Sequence, residues 1–94
     1  MLENIFYESR FKKDVKRLTK SSRYDLAKLK AVIEILIQEK TLVLKYKNHV
    51  LSGIFKGYQE CHIEPDWLLI YKINKKNKEL ILVRTGTHSE LFKM

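Results

Sequence analysis

The hydrophobic pattern of this chain changes period once, and that change constrains the fold more than any other feature. Through "ESRFKKDVKRLTK" and "SSRYDLAKLKAVIEILIQEK" apolar residues return every three or four positions. Phe11, Val15 and Leu18 share one helical face, and Leu26, Leu29, Ile33, Leu36 and Ile37 form a second, wider stripe. "TKSS" joins the two as a helical hairpin. Ser21 or Ser22 can cap the second helix, with Asp25 in its first turn, where a carboxylate suits the helix dipole. From about residue 41 the helical spacing is gone. "LVLKYKNHVLSG" reads as an extended loop, and three strand-like runs follow: "IFKGYQECHI", "WLLIYKI" and "ELILVRTG". Pro65 cannot donate to a ladder and belongs in the connection between the first two runs, while "NKKNK" turns the chain between the last two.

With the β-prone run "LENIFY" at the start, the order is β, α, α, β, β, β. This predicts an α+β fold with two helices packed on one face of a mostly antiparallel sheet. The last three strands form a meander, and the first pairs at an edge or beside the final strand. The tail "THSELFKM" is short and polar with one aromatic. At 94 residues the chain is expected to be one domain, residues 1–94.

Charge narrows the partners. Nineteen Lys and Arg against eleven Asp and Glu give a formal net charge of +8 and a strong positive field. Polyanions are the natural partners: RNA, DNA, ribosomes, an anionic membrane or an acidic protein. Lys12, Lys13, Lys16 and Arg17 line the polar face of the first helix and are candidates for contact with such a polyanion, with a merely solvated face as the bland alternative. No apolar run approaches the ~20 residues of a membrane span, and no signal peptide is visible, so the expected location is the cytoplasm. The single cysteine, Cys61, has no disulfide partner and no second cysteine for zinc, and reads as a small strand residue. No cofactor and no metal are expected.

The three histidines, His49, His62 and His88, all lie in or beside loops of the second half. In a meander, the end of its first strand, the start of its second and the end of its third meet at one sheet end. Topology therefore gathers His62, Asp66 and Trp67 with Arg84, Thr85 and His88, and leaves His49 unplaced. Histidine exchanges protons at neutral pH. RNA cleavage needs a base for the 2′-hydroxyl, an acid for the leaving oxygen and a cation for the phosphate. The histidines and Asp66 can supply the first two and Arg84 the third, while Trp67 or Phe92 can stack on a base. Each has a plain alternative: solvated loop histidines, Trp67 in the core, Asp66 as a turn residue, Arg84 paired with Glu60 or Glu64. No histidine pair has the i, i+4 spacing of a helical metal site.

The segment "YKNHVLSGIFKGYQECHIEPDWLLIYKI" followed by "LVRTGTHSELF" resembles the YafQ group of the RelE/ParE superfamily of bacterial toxins. The motifs H-x-L-x-G, KGY, H-I-E-P-D-W and R-T-G-T-H carry the resemblance across about residues 44 to 92. It implies a RelE-like fold and a ribosome-dependent endoribonuclease that cuts mRNA in the ribosomal A site without a metal. His49, His62, Asp66 and His88 fall on the family's acid–base positions, Arg84 on its phosphate-stabilising arginine, and Trp67 and Phe92 on its aromatic positions. One departure is Val50, where the family has a proline after the first histidine. The resemblance also implies a cognate antitoxin, through which the toxin reaches operator DNA as a co-repressor. A gyrase-inhibiting toxin of the ParE branch and a non-catalytic RNA-binding or co-repressor protein are the alternatives.

Overall fold

The computed structural model describes residues 1–40, 46–51, 53 and 56–92. The helical half forms as its spacing dictates. Helix α1 (Ser9–Thr19) buries Phe11, Asp14 and Leu18, and α2 (Leu26–Ile37) buries Leu29, Val32 and Leu36. The cap of α2 is Asp25 rather than either serine: its carboxylate accepts from the Ala27 N–H at 3.0 Å. Ser21 instead accepts from the Arg23 N–H and shapes the turn between the helices.

Five strands make one sheet: β1 (Asn4–Tyr7), β2 (His49–Val50), β3 (Gln59–Glu64), β4 (Trp67–Asn74) and β5 (Glu79–Gly86), in the order β1-β5-β4-β3-β2. The meander β3-β4-β5 is antiparallel and β1 lies at the edge beside β5, as the pattern predicts; β1 runs parallel to β5 there. Three details differ from expectation. Within the stretch read as a loop, His49 and Val50 pair with Glu60 and Gln59. The first meander strand begins at Gln59 rather than in the "IFKGY" segment; Gly57, at φ +94°, is in a conformation that a ladder does not accommodate. Residues 41–45, 52 and 54–55, on which parts of these two readings fall, lie outside the described residues. Third, the polar tail contains a one-turn helix, α3 (His88–Leu91). Thr87 and Glu90 close a reciprocal capping box at its start, and "THSE" carries that signature.

Strand β4 is buried on both faces, which explains the unbroken apolar run "WLLIY". Trp67, Leu69 and Tyr71 point into the main core with α1 and α2. Leu68 and Ile70 point the other way, into a smaller core with Val83 and Leu91. The face opposite the helices is therefore partly covered by α3. Pairing then sets the rows of that second face: Leu68 lies between His62 and Gly86, and Ile70 between Glu60 and Arg84. Two irregularities adjust these rows, one beside Ile63 in β3 and one beside Val83 in β5.

Strand β1 stops opposite Leu82, leaving the flank of β5 open beyond it. Helix α1 fills the gap with side chains: Asp14 accepts from the Thr85 N–H at 3.1 Å, and Arg17 donates to the Thr85 carbonyl at 3.3 Å. Edge groups that a strand would have paired are thus satisfied by a helix. Among the described residues no helix is long and apolar enough to cross a membrane.

Candidate active site

Alternation along β3 puts Glu60 and His62 on the same face. Both sit in rows with the second core, so that face is the one opposite α1 and α2. His49 enters from β2, directly across from Glu60. Its Nε2 lies 2.9 Å from Glu60 Oε1, and His62 Nε2 lies 3.3 Å from the same oxygen. The Glu60 residue is only 4% exposed. Burying a carboxylate without compensation is costly, so two imidazoles on one oxygen define its environment. The ligand atoms of His49, Glu60 and His62 all lie within 4.8 Å of one another, and this trio could hold a metal ion.

A second pair forms where the β3–β4 turn meets α3. Pro65 and Asp66 are the two residues between the paired Glu64 and Trp67. Asp66 Oδ1 accepts from the His88 N–H at 3.0 Å and contacts His88 Nδ1 at 2.8 Å. The backbone N–H of His88, then its imidazole, hold the Asp66 carboxyl below the usual carboxylate range. Asp66 thus stays ionised at neutral pH and orients His88: with Nδ1 donating to the carboxylate, Nε2 is left to face a substrate. The His62 ring stands between the pairs, its centroid 6.4 Å from that of His49 and 5.5 Å from that of His88.

The structure therefore brings together His49, His62, Asp66 and His88, and places Arg84 in the row of Glu60, across Ile70. It corrects three expectations. Trp67 is wholly buried, with its indole N–H donated to Thr85 Oγ1 at 2.9 Å and Tyr24 edge-on against its ring, so it has no face to offer a base. Arg84 pairs with neither Glu60 nor Glu64: Asp14 takes it, and Lys28 holds Glu64 at 2.7 Å. Arg17 is not a free cation on the helix surface. Its side chain, 41% exposed, is bound to Asp14, Glu90 and the Thr85 carbonyl, while Lys12, Lys13 and Lys16 are exposed as well. Phe92 follows α3 as its C-cap and packs, half-buried, on the second core.

The chain matches over residues 3–93 a family described as "Bacterial toxin of type II toxin-antitoxin system, YafQ". The chain belongs to the YafQ family. The mRNA interferase toxin YafQ of Escherichia coli (strain K12) is 46% identical over 91 residues, covering 95% of each chain. Among solved structures, a metal-bound toxin from Helicobacter pylori superposes with a TM-score of 0.88 at 46% identity, covering 98% of this chain and 100% of that one. The E. coli DinJ-YafQ complex gives a TM-score of 0.83 at 45% identity over 94% of this chain and 96% of that one. The α+β expectation is thereby met, in the fold that the YafQ toxins share.

Within this YafQ-family fold the candidate acid–base groups come from three separate segments: the β2–β3 pair, the β3–β4 turn and the β5–α3 junction. Two contributors escaped the sequence reading. Glu60 lies two positions before His62, a period-two signal that was present and not used. Asp14 interrupts the apolar stripe of α1 between Phe11 and Leu18, which was also visible. Cys61 is excluded as a nucleophile: burial, then the nearby Glu60, pushes its thiol up to about 12.

Proposed function

We propose that this toxin is an mRNA interferase, a ribosome-dependent endoribonuclease that cuts mRNA in the ribosomal A site and so arrests translation. One observation carries the reading: two acid–base pairs, His49–Glu60 and His88–Asp66, flank His62 on the sheet face opposite the helices. The E. coli relative named an mRNA interferase supports it. A proton acceptor from the Glu60-linked histidines takes the 2′-hydroxyl proton. The freed oxygen attacks the adjacent phosphorus as the bond to the 5′ oxygen breaks. His88 Nε2 protonates that leaving oxygen, and a 2′,3′-cyclic phosphate remains. Asp66 accepts from His88 Nδ1–H and so aims the Nε2–H of the imidazolium at the leaving oxygen, Arg84 stabilises charge on the phosphate, and the half-buried Phe92 is placed to meet a base.

No step in this scheme needs a metal. If a first-row cation enters, His49, Glu60 and His62 would hold it through two imidazole nitrogens and one carboxylate oxygen. It would then occupy the lone pairs that the base needs. The H. pylori neighbour solved with metal bound makes this worth measuring. Chelator is expected to leave cleavage unchanged, and added copper or zinc to inhibit it.

Ribosomal RNA would meet the exposed Lys12, Lys13 and Lys16, and the net charge of +8 suits both that partner and an acidic antitoxin. The DinJ-YafQ complex of the relative supports an antitoxin of the same kind here. Operator DNA would be contacted only through that antitoxin, and the site of action is the cytoplasm, where ribosomes are. The test is to incubate the purified protein with programmed ribosomes and map mRNA ends. His88→Ala is expected to lower cleavage by ~10²–10⁴-fold, the usual contribution of a general acid. Intact mRNA with the wild-type chain, or equal cutting by both, would rule the mechanism out.

A further inference from the structure

Asp14 is a carboxylate on the apolar face of α1, where Phe11 and Leu18 are its buried neighbours. A hydrophobic residue there would continue the stripe at no desolvation cost. Buried ion pairs are weak contributors to stability and are often matched or exceeded by apolar replacements. Something other than stability accounts better for the charge at this place.

Its bonds show what it holds. Asp14 Oδ2 takes Arg84 Nε at 2.7 Å, and Oδ1 takes Arg84 Nη2 at 3.1 Å, a two-point grip on one edge of the guanidinium. Arg17 Nη1 at 2.8 Å and the Thr85 N–H at 3.1 Å occupy the remaining lone pairs and fix the carboxylate itself. A guanidinium is planar and rigid, so holding one edge sets the direction of the other. Two of the five N–H groups of Arg84 are committed to Asp14; among the described residues Nη1 has no hydrogen-bond partner, which leaves that edge for an anion. The irregularity beside Val83 brings Arg84 opposite Ile70, into line with Glu60. The Arg84 side chain is 17% exposed, so it is enclosed but still reachable.

We propose that Asp14 is a positioning residue for RNA cleavage: it clamps one edge of Arg84 so that the opposite edge meets the scissile phosphate. This rests on the reading of Arg84 as the phosphate-stabilising group. Asp14 touches no reacting atom. It acts by removing the rotamer freedom that a long arginine side chain would otherwise lose during the reaction.

The test measures cleavage on programmed ribosomes for the wild type, Asp14→Asn, Arg84→Gln and the double variant, over a range of ribosome concentrations. Asp14→Asn is expected to lower kcat by on the order of 10²-fold, the cost of a misplaced catalytic group, with KM little changed. In the Arg84→Gln background it is expected to add nothing, because the residue it positions is gone. Equal losses in both backgrounds, or an unchanged kcat, would overturn the proposal. If Arg84→Gln cleaves like the wild type while His88→Ala does not, the role of Arg84 fails and the proposal with it, but the acid–base reading stands. Arg84→Lys provides the arm that keeps Asp14 and its fold. A lysine can pair with Asp14 as a point charge but has no second edge to present. It is expected to lose kcat as Arg84→Gln does, and wild-type cleavage by Arg84→Lys would also overturn the proposal.

Discussion

Trp67 donates its indole N–H to the Thr85 hydroxyl, and that hydroxyl donates in turn to the Leu68 carbonyl at 2.8 Å. The side chain fills the main core and joins β4 to β5 through a buried polar chain. Trp67→Phe should therefore cost about 1 kcal/mol for the lost hydrogen bond, and Trp67→Ala ~3–5 kcal/mol with the cavity included, both read from urea unfolding. Gly86 is constrained in another way. Its φ of +155° is one that a side chain rarely adopts, and an added Cβ would lie 2.8 Å from Arg17 Nη2 and from Glu90 Oε1. Gly86→Ala is expected to destabilise by about 1–3 kcal/mol, seen as a lower Tm, because it strains the backbone and displaces the Arg17–Glu90 ion pair.

At the scale of elements, the site depends on two junctions. The first is α3, whose first residue is His88 and whose stability rests on the Thr87–Glu90 capping box. Thr87→Ala should remove about 0.5–2 kcal/mol of cap stabilisation. With only four residues, α3 has little else to hold it, so cleavage should fall further than the change in global Tm implies; comparing calorimetry with the cleavage rate checks this. The second junction is α1 against the open flank of β5. Burial pushes the Asp14 carboxyl up, but hydrogen bonds from Arg84, Arg17 and the Thr85 N–H outweigh it and leave the group below its ordinary value. A lowered native pKa contributes stability above the unfolded value of about 3.9, and that contribution is lost as pH falls through the native value. The Tm difference between the wild type and Asp14→Asn should be flat from neutral pH down to about 5 and shrink below about 4.

Across the whole molecule, charge and topology divide the work. The net charge of +8 is fixed by composition, and the exposed lysines of α1 carry part of it. A triple Lys12→Ala, Lys13→Ala, Lys16→Ala variant should melt like the wild type. Its ribosome affinity should be weaker, with the slope of log K against log salt reduced by about 2–3 if each lysine meets one phosphate. The first strand, the helical hairpin and the meander, the starts of β4 and β5, and the meeting of His62, Asp66 and His88 were readable in advance, whereas β2 and α3 were not. Each follows from period, turn chemistry and the antiparallel return of neighbouring strands, which are properties of nearby residues. What packing alone decided is which side chains from separate elements meet. Whether Trp67 was sealed in the main core or lay on the face of the histidines depended on which side of β4 helices α1 and α2 covered. Glu60 became the hub of two histidines once β2 paired with β3. Arg84 found its partner 70 residues away, on a helix. Patterns of hydrophobicity record which face of an element is buried, but not what will be laid against it. A polar side chain acquires its role from its neighbours in space, and those exist only once the layers have closed.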